Sequence, residues 1–92
     1  MAWKIEFSSG ARKALSKLDR PVAQRIIRFL EERVAAGSDP RAIGEALTGS
    51  LLGEFWKYRV GDWRIICSIE DERVIIQVLR IGNRREVYRE KS

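Results

Sequence analysis

The stretch Phe55-Trp56-Lys57-Tyr58-Arg59-Val60-Gly61-Asp62-Trp63-Arg64-Ile65-Ile66-Cys67-Ser68-Ile69-Glu70 decides the fold. Its apolar residues recur every second position, the period of a half-buried strand. Gly61-Asp62 interrupts the pattern with residues suited to a tight turn. Residues 55–60 therefore predict one strand and residues 63–70 the next, paired antiparallel because the connection is too short for a crossover. Trp56, Tyr58 and Val60 share one face with Trp63, Ile65, Cys67 and Ile69. Lys57 and Arg59 share the opposite face with Arg64, Ile66 and Ser68. Glu70-Asp71-Glu72 predicts a second turn, residues 73–81 a last long strand, and Gly82-Asn83 the end of the sheet.

Upstream, Trp3-Lys4-Ile5-Glu6-Phe7 alternates as another strand. Ser8 or Ser9 is placed to cap a helix whose narrow apolar face is Ala11, Leu15 and Leu18. Asp19 predicts the N-cap of a second helix, with Pro21 tolerated in its first turn. Val22, Ile26, Ile27, Phe29, Leu30 and Val34 form its buried side, and Arg25, Arg28, Glu32 and Arg33 its wet side. Gly37-Ser38-Asp39-Pro40 ends it, with Gly37 expected in the left-handed conformation. The two helices are expected to form an antiparallel hairpin. Between residues 41 and 54, Ala42, Ile43, Ala46 and Leu47 suggest a short helix, and Gly44, Gly49 and Gly53 exclude a long one. The expected architecture is a single α+β domain over residues 1–92. It has an N-terminal strand, a helical hairpin and a three-stranded meander, giving a small four-stranded sheet with helices on one face.

Composition limits the chemistry. The 92 residues contain 18 Lys and Arg against 13 Asp and Glu, a net charge of +5, with one cysteine and no histidine. The excess is spread along the chain, so a basic patch has to be assembled by folding. A metal site or a Cys–His nucleophile is not supported, and no cofactor is expected. Cys67 falls on the apolar face of its strand and reads as a buried residue. No apolar run reaches membrane-spanning length and no signal peptide is evident, so a cytoplasmic location is expected. If the helices cover the Trp56 and Trp63 side, then Lys57, Arg59 and Arg64 converge on the other. Arg59 and Arg64 would lie side by side across the hairpin, and like charges so placed repel. Such a cluster calls for solvent or an anion, and a phosphodiester such as RNA is the first candidate. The same cations also fit ordinary outward strand positions paired with Asp62, Glu70 or Glu86.

Two segments carry a family likeness. Residues 47–66, containing Gly61-Asp62-Trp63-Arg64-Ile65, and the tail Arg80-Ile81-Gly82-Asn83-Arg84-Arg85-Glu86-Val87-Tyr88 together resemble the RelE/ParE superfamily of bacterial toxins. The superfamily includes RelE-type members, which resemble small microbial ribonucleases and cut mRNA in the ribosomal A site. It also includes ParE-type members, which poison DNA gyrase. The resemblance implies a metal-independent endoribonuclease. Lys57, Arg64, Arg84 and Tyr88 match RelE-type active-site positions, with Arg59 and Arg85 as further phosphate contacts. Arg84 corresponds to the group at the leaving oxygen and Tyr88 to the one that orients or stacks on the nucleotide. Arg59 departs from the pattern, standing where a lysine is proposed as general base. A guanidinium stays protonated, so Lys57 is left to take the proton or the task passes to the ribosome and solvent. The implied partners are a cognate antitoxin protein, the ribosome and mRNA. Direct sequence-specific DNA binding is expected only through the antitoxin complex. A gyrase inhibitor and a non-catalytic binding member are the competing readings.

Overall fold

The computed structural model describes residues 3–47 and 55–83. The elements in chain order are β1 (Lys4–Phe7), α1 (Ser9–Ser16), α2 (Arg20–Phe29) continuing into a π-helical turn (Leu30–Ala35), a 3-10 turn (Pro40–Ala42), β2 (Glu45–Ala46), β3 (Phe55–Val60), β4 (Trp63–Glu70) and β5 (Ile75–Asn83). The sheet has five strands in the order β1-β5-β4-β3-β2. It is antiparallel except that β1 runs parallel beside β5. No described helix is long and apolar enough to cross a membrane.

The β3–β4 hairpin forms at the expected positions. Gly61 has φ +62°, and Asp62 is absent from the left-handed region, the pattern of a type II′ hairpin turn. The register pairs Trp56 with Cys67, Tyr58 with Ile65 and Val60 with Trp63, so these six share one face. That face meets the helices. Ala11, Ile26, Leu30 and Val34 pack with Tyr58, Ile65, Cys67, Ile76 and Val78 in one core cluster. Each fully buried aliphatic side chain there contributes about 1.5–3 kcal/mol. Trp3, Leu15, Leu18, Val22 and Phe29 flank the cluster, partly buried.

Helix α1 starts where the sequence indicates. The Ser8 hydroxyl accepts the Ala11 N–H at 3.0 Å and donates to the Leu79 carbonyl at 3.0 Å. Asp19 stands at the α2 N-cap with extended backbone, but its side chain makes no capping hydrogen bond. The helices contact the sheet more than each other, α1 resting on β5 and α2 on β3.

Three expectations are corrected. The sheet has a fifth strand, because Glu45–Ala46 pairs with the edge of β3 instead of forming a helix with Ala42, Ile43 and Leu47. Two aromatic side chains hold this segment extended: Trp56 Nε1 donates to the Ile43 carbonyl at 2.8 Å, and Tyr58 donates its hydroxyl to the Pro40 carbonyl at 2.6 Å. Arg41 adds a two-pronged ion pair to Asp71, both contacts 3.0 Å, tying the segment to the β4–β5 turn. That hydrogen bonding holds the Asp71 carboxyl below its usual range. Gly37 does not adopt the left-handed conformation, which among described glycines is confined to Gly44 and Gly61. The helix end is satisfied differently, the Ala35 carbonyl accepting the Trp3 N–H at 2.8 Å. The last strand runs over Ile75–Asn83 rather than 73–81, because residues 71–74 are taken by the turn.

Burial of two weak acids predicts a pH limit to stability. Burial pushes the Cys67 thiol up to about 12 from 9.0. Burial likewise raises the Tyr58 phenol above its usual 10.0. The folded chain therefore keeps protons that the unfolded chain releases, so stability is fully present below pH ~9 and falls as pH rises through ~12. Each such group lowers stability by at most about 1.4 kcal/mol per pH unit. Melting temperature is expected to hold flat from pH 7 to 8.5 and fall above pH 9. In Cys67→Ala the fall should begin about one unit later. A flat profile to pH 11 would contradict this placement of both side chains.

Candidate active site

The face of the sheet turned away from the helices carries two rows of side chains. Register places Glu45 beside Lys57, Lys57 beside Ile66, and Ile66 beside Arg80. The next row runs Arg59, Arg64, Gly82. The expected convergence of Lys57, Arg59 and Arg64 on one face is therefore present. Directly opposite residues in such a pair have Cβ atoms about 5 Å apart, which makes Arg59 and Arg64 close neighbours of like charge.

Arg64 has the least ordinary environment of the three. It is only 9% exposed, the one charged residue buried among those described. Its Nη1 donates at 3.4 Å to the Trp63 carbonyl and at 3.5 Å to the Gly61 carbonyl. Both are long compared with the usual ~2.9–3.0 Å for N–H···O. The ion pairs among the described residues are Lys4–Glu6, Arg28–Glu32, Arg41–Asp71 and Arg73–Glu70. None involves Arg59 or Arg64, and Glu70, one of the acids available to balance them, is engaged by Arg73 at 2.9 Å. Among the described residues Arg64 meets only peptide carbonyls, and a buried cation so placed gains strongly from an arriving oxyanion.

A groove of about 520 Å³ opens at this point. It is lined by Lys57, Arg59 and Arg64 with Glu45, Gly44, Ile43, Tyr58, Phe29 and Arg33. It therefore runs from the cationic face over the edge of β3 to the end of α2. Phe29 forms its apolar wall and is braced edge-on against Tyr58, ring centroids 5.9 Å apart. Arg84, Arg85 and Tyr88 lie outside the described residues.

Two charged residues on this face escape a reading by local pattern. Glu45 sits in a segment without clear periodicity, and only its pairing with Lys57 reveals its position. Arg80 shares the alternation phase of Ile76 and Val78, which places it among core residues if the strand is regular. A register offset between Ile66 and Cys67 turns it to the open face instead. The sequence holds a trace of this: the apolar phase changes from Ile76 and Val78 to Ile81.

The fold is shared with solved RelE toxins. The isolated E. coli toxin RelE superposes with a TM-score of 0.71 at 26% identity, covering 97% of this chain and 94% of that one. The archaeal RelE–RelB complex from Pyrococcus horikoshii gives 0.65 at 28%, covering 94% and 99%. The RelBE2 toxin–antitoxin complex from Mycobacterium tuberculosis gives 0.81 at 23%, covering 94% and 95%, a likeness of fold. Residues 5–88 match the family described as the ParE toxin of the type II toxin–antitoxin system parDE. The chain belongs to that family and so to the RelE/ParE superfamily of type II toxins. Toxin RelG of Mycobacterium tuberculosis is 28% identical over 89 residues, covering 97% of this chain and 99% of its own length.

Proposed function

We propose that this toxin is a metal-independent endoribonuclease that cuts translated mRNA in the ribosomal A site. The observation that carries the reading is the buried Arg64, without a carboxylate partner among the described residues, beside Arg59 and Lys57 in the lining of a groove. In the proposed step the RNA 2′-oxygen attacks the adjacent phosphorus and the bond from phosphorus to the 5′-oxygen breaks. The products are a 2′,3′-cyclic phosphate and a 5′-hydroxyl. Arg64 and Arg59 stabilise the charge that builds on the phosphoryl oxygens. Arg84 stabilises the leaving oxygen, which takes its proton from solvent, and Tyr88 and Arg85 hold the nucleotide.

Arg59 is a poor base, and the register supplies a better one. Glu45 neighbours Lys57 on the cationic face and lines the groove. A carboxylate accepts a proton where a guanidinium does not. Glu45 takes the 2′-hydroxyl proton, and Lys57 orients that carboxylate and the phosphate. The ribosome contributes the alignment of the mRNA for in-line attack. A cognate antitoxin is the proposed regulator, as RelB accompanies RelE in the solved complexes.

The name of the matching family favours a second reading, inhibition of DNA gyrase without chemistry. Purified toxin incubated in one arm with programmed ribosomes and in another with gyrase and relaxed plasmid separates the two. Cleaved mRNA with a 5′-hydroxyl end is expected. Glu45→Gln should slow cleavage about a hundredfold and remove the acidic limb of the pH–rate profile. Intact mRNA together with lost supercoiling activity would select the gyrase reading. A Glu45→Gln enzyme with wild-type rate and pH profile would remove Glu45 as the base.

A further inference from the structure

Strands β4 and β5 are in simple register from Trp63–Asn83 to Ile66–Arg80, and again from Cys67–Val78 onward. Leu79 is the residue left over, an insertion of one residue in β5. Such an extra residue flips the facing of everything beyond it. Ser8 holds the irregularity from the helix side. Its N–H donates to the Val78 carbonyl at 2.9 Å and its hydroxyl to the Leu79 carbonyl at 3.0 Å. The result is that Val78 and Ile81 both stay in the core while Arg80, between them, stands exposed on the open face. Arg80 is then the diagonal neighbour of Arg64, about 7–8 Å away, and lies across Ile66 from Lys57. Gly82, opposite Arg64, leaves the surface beside these cations without a side chain.

We propose that Arg80 binds a second phosphate, one nucleotide removed from the scissile phosphate, so that the open face is a track for a strand rather than a pocket for one group. This rests on the ribonuclease reading and extends it. The Arg59 and Arg64 pair holds the scissile phosphate. Arg80, displaced along β5 by two residues, meets the chain where it leaves that site. Its contribution is to binding and register of the strand, not to the bond-breaking step.

The test uses a short RNA with a 2′-deoxy sugar at the cleavage site, so that it binds without being cut. A neutral methylphosphonate replaces one phosphate at a time. In the wild type, replacement next to the scissile position should weaken binding about tenfold. In Arg80→Gln that one replacement should have no further effect, and the slope of log affinity against log salt should fall by about 0.7. Arg80→Lys should restore the slope, and Arg12→Gln, on the outer side of α1, should leave it unchanged. With ribosome-bound mRNA, Arg80→Gln should raise KM with kcat nearly constant. If Arg80→Gln keeps the wild-type methylphosphonate profile and slope, the inference is overturned and the ribonuclease reading stands. If the wild-type protein neither binds the oligonucleotide nor cuts mRNA, both fall.

Discussion

Arg64→Ala should lower the rate of ribosome-dependent mRNA cleavage by about a hundred- to a thousandfold while leaving the fold intact. In the proposed mechanism Arg64 is a preorganised cation where transition-state charge develops, and removing such a group costs roughly 3–4 kcal/mol. The separation of rate from stability follows from the surroundings. Arg64 is buried, yet it has no carboxylate partner among the described residues and sits opposite Arg59. Its removal strands no countercharge and relieves a like-charge contact worth a few tenths of a kcal/mol. The melting temperature should therefore stay level or rise slightly. Arg64→Lys should recover only part of the rate, since an ammonium keeps the charge but loses the guanidinium fork. Single-turnover cleavage and a thermal melt on the same preparations check both halves. A purely structural Arg64 would give the reverse result: unfolding with no specific loss of rate.

Gly44→Ala should destabilise the protein by about 3 kcal/mol or more. Gly44 has φ +82°, a conformation that costs a residue with a Cβ about 1–2 kcal/mol. A Cβ there would also lie 2.6 Å from the Lys57 carbonyl oxygen, 2.7 Å from Trp56 Nε1 and 2.8 Å from Tyr58 Cδ1. All three contacts are to backbone or to a ring already committed to a hydrogen bond, so the segment rather than the neighbours has to move. The expected casualty is the pairing of β2 with β3, together with the Trp56–Ile43 and Tyr58–Pro40 hydrogen bonds. Against a typical stability of ~5–15 kcal/mol this is a large fraction. Denaturant unfolding measures the loss. Near the folding limit, cleavage should fall as well, because the same segment carries Glu45 into the groove. A change under 1 kcal/mol would mean that the close passage of residues 43–45 over β3 is not maintained in solution.

The part of the site legible beforehand is the part built from neighbours in sequence. Lys57, Arg59 and Arg64 lie within eight residues, on two strands joined by a two-residue turn. Alternation assigns their face and Gly61 fixes the hairpin geometry that sets them opposite one another. The Ser8 cap and the burial of Cys67 are local in the same sense. The edge strand β2 is not. Its surroundings read as a short helix, and the segment leading into it is instead anchored at Pro40, Arg41 and Ile43 by Tyr58, Asp71 and Trp56 from later in the chain.

Residue pattern alone therefore settled the class of fold, the β3–β4 hairpin with its turn, and the division of the sheet into an apolar face and a cationic one. These follow from side-chain alternation and turn chemistry, which act over a few residues. Tertiary structure decided that β1 enters the sheet parallel to β5, that Glu45 joins Lys57, and that Arg80 faces outward. Each depends on hydrogen bonds between distant segments. The offset at Leu79 is held by Ser8, 71 residues earlier in the chain, and a one-residue shift in register reverses the facing of every side chain beyond it.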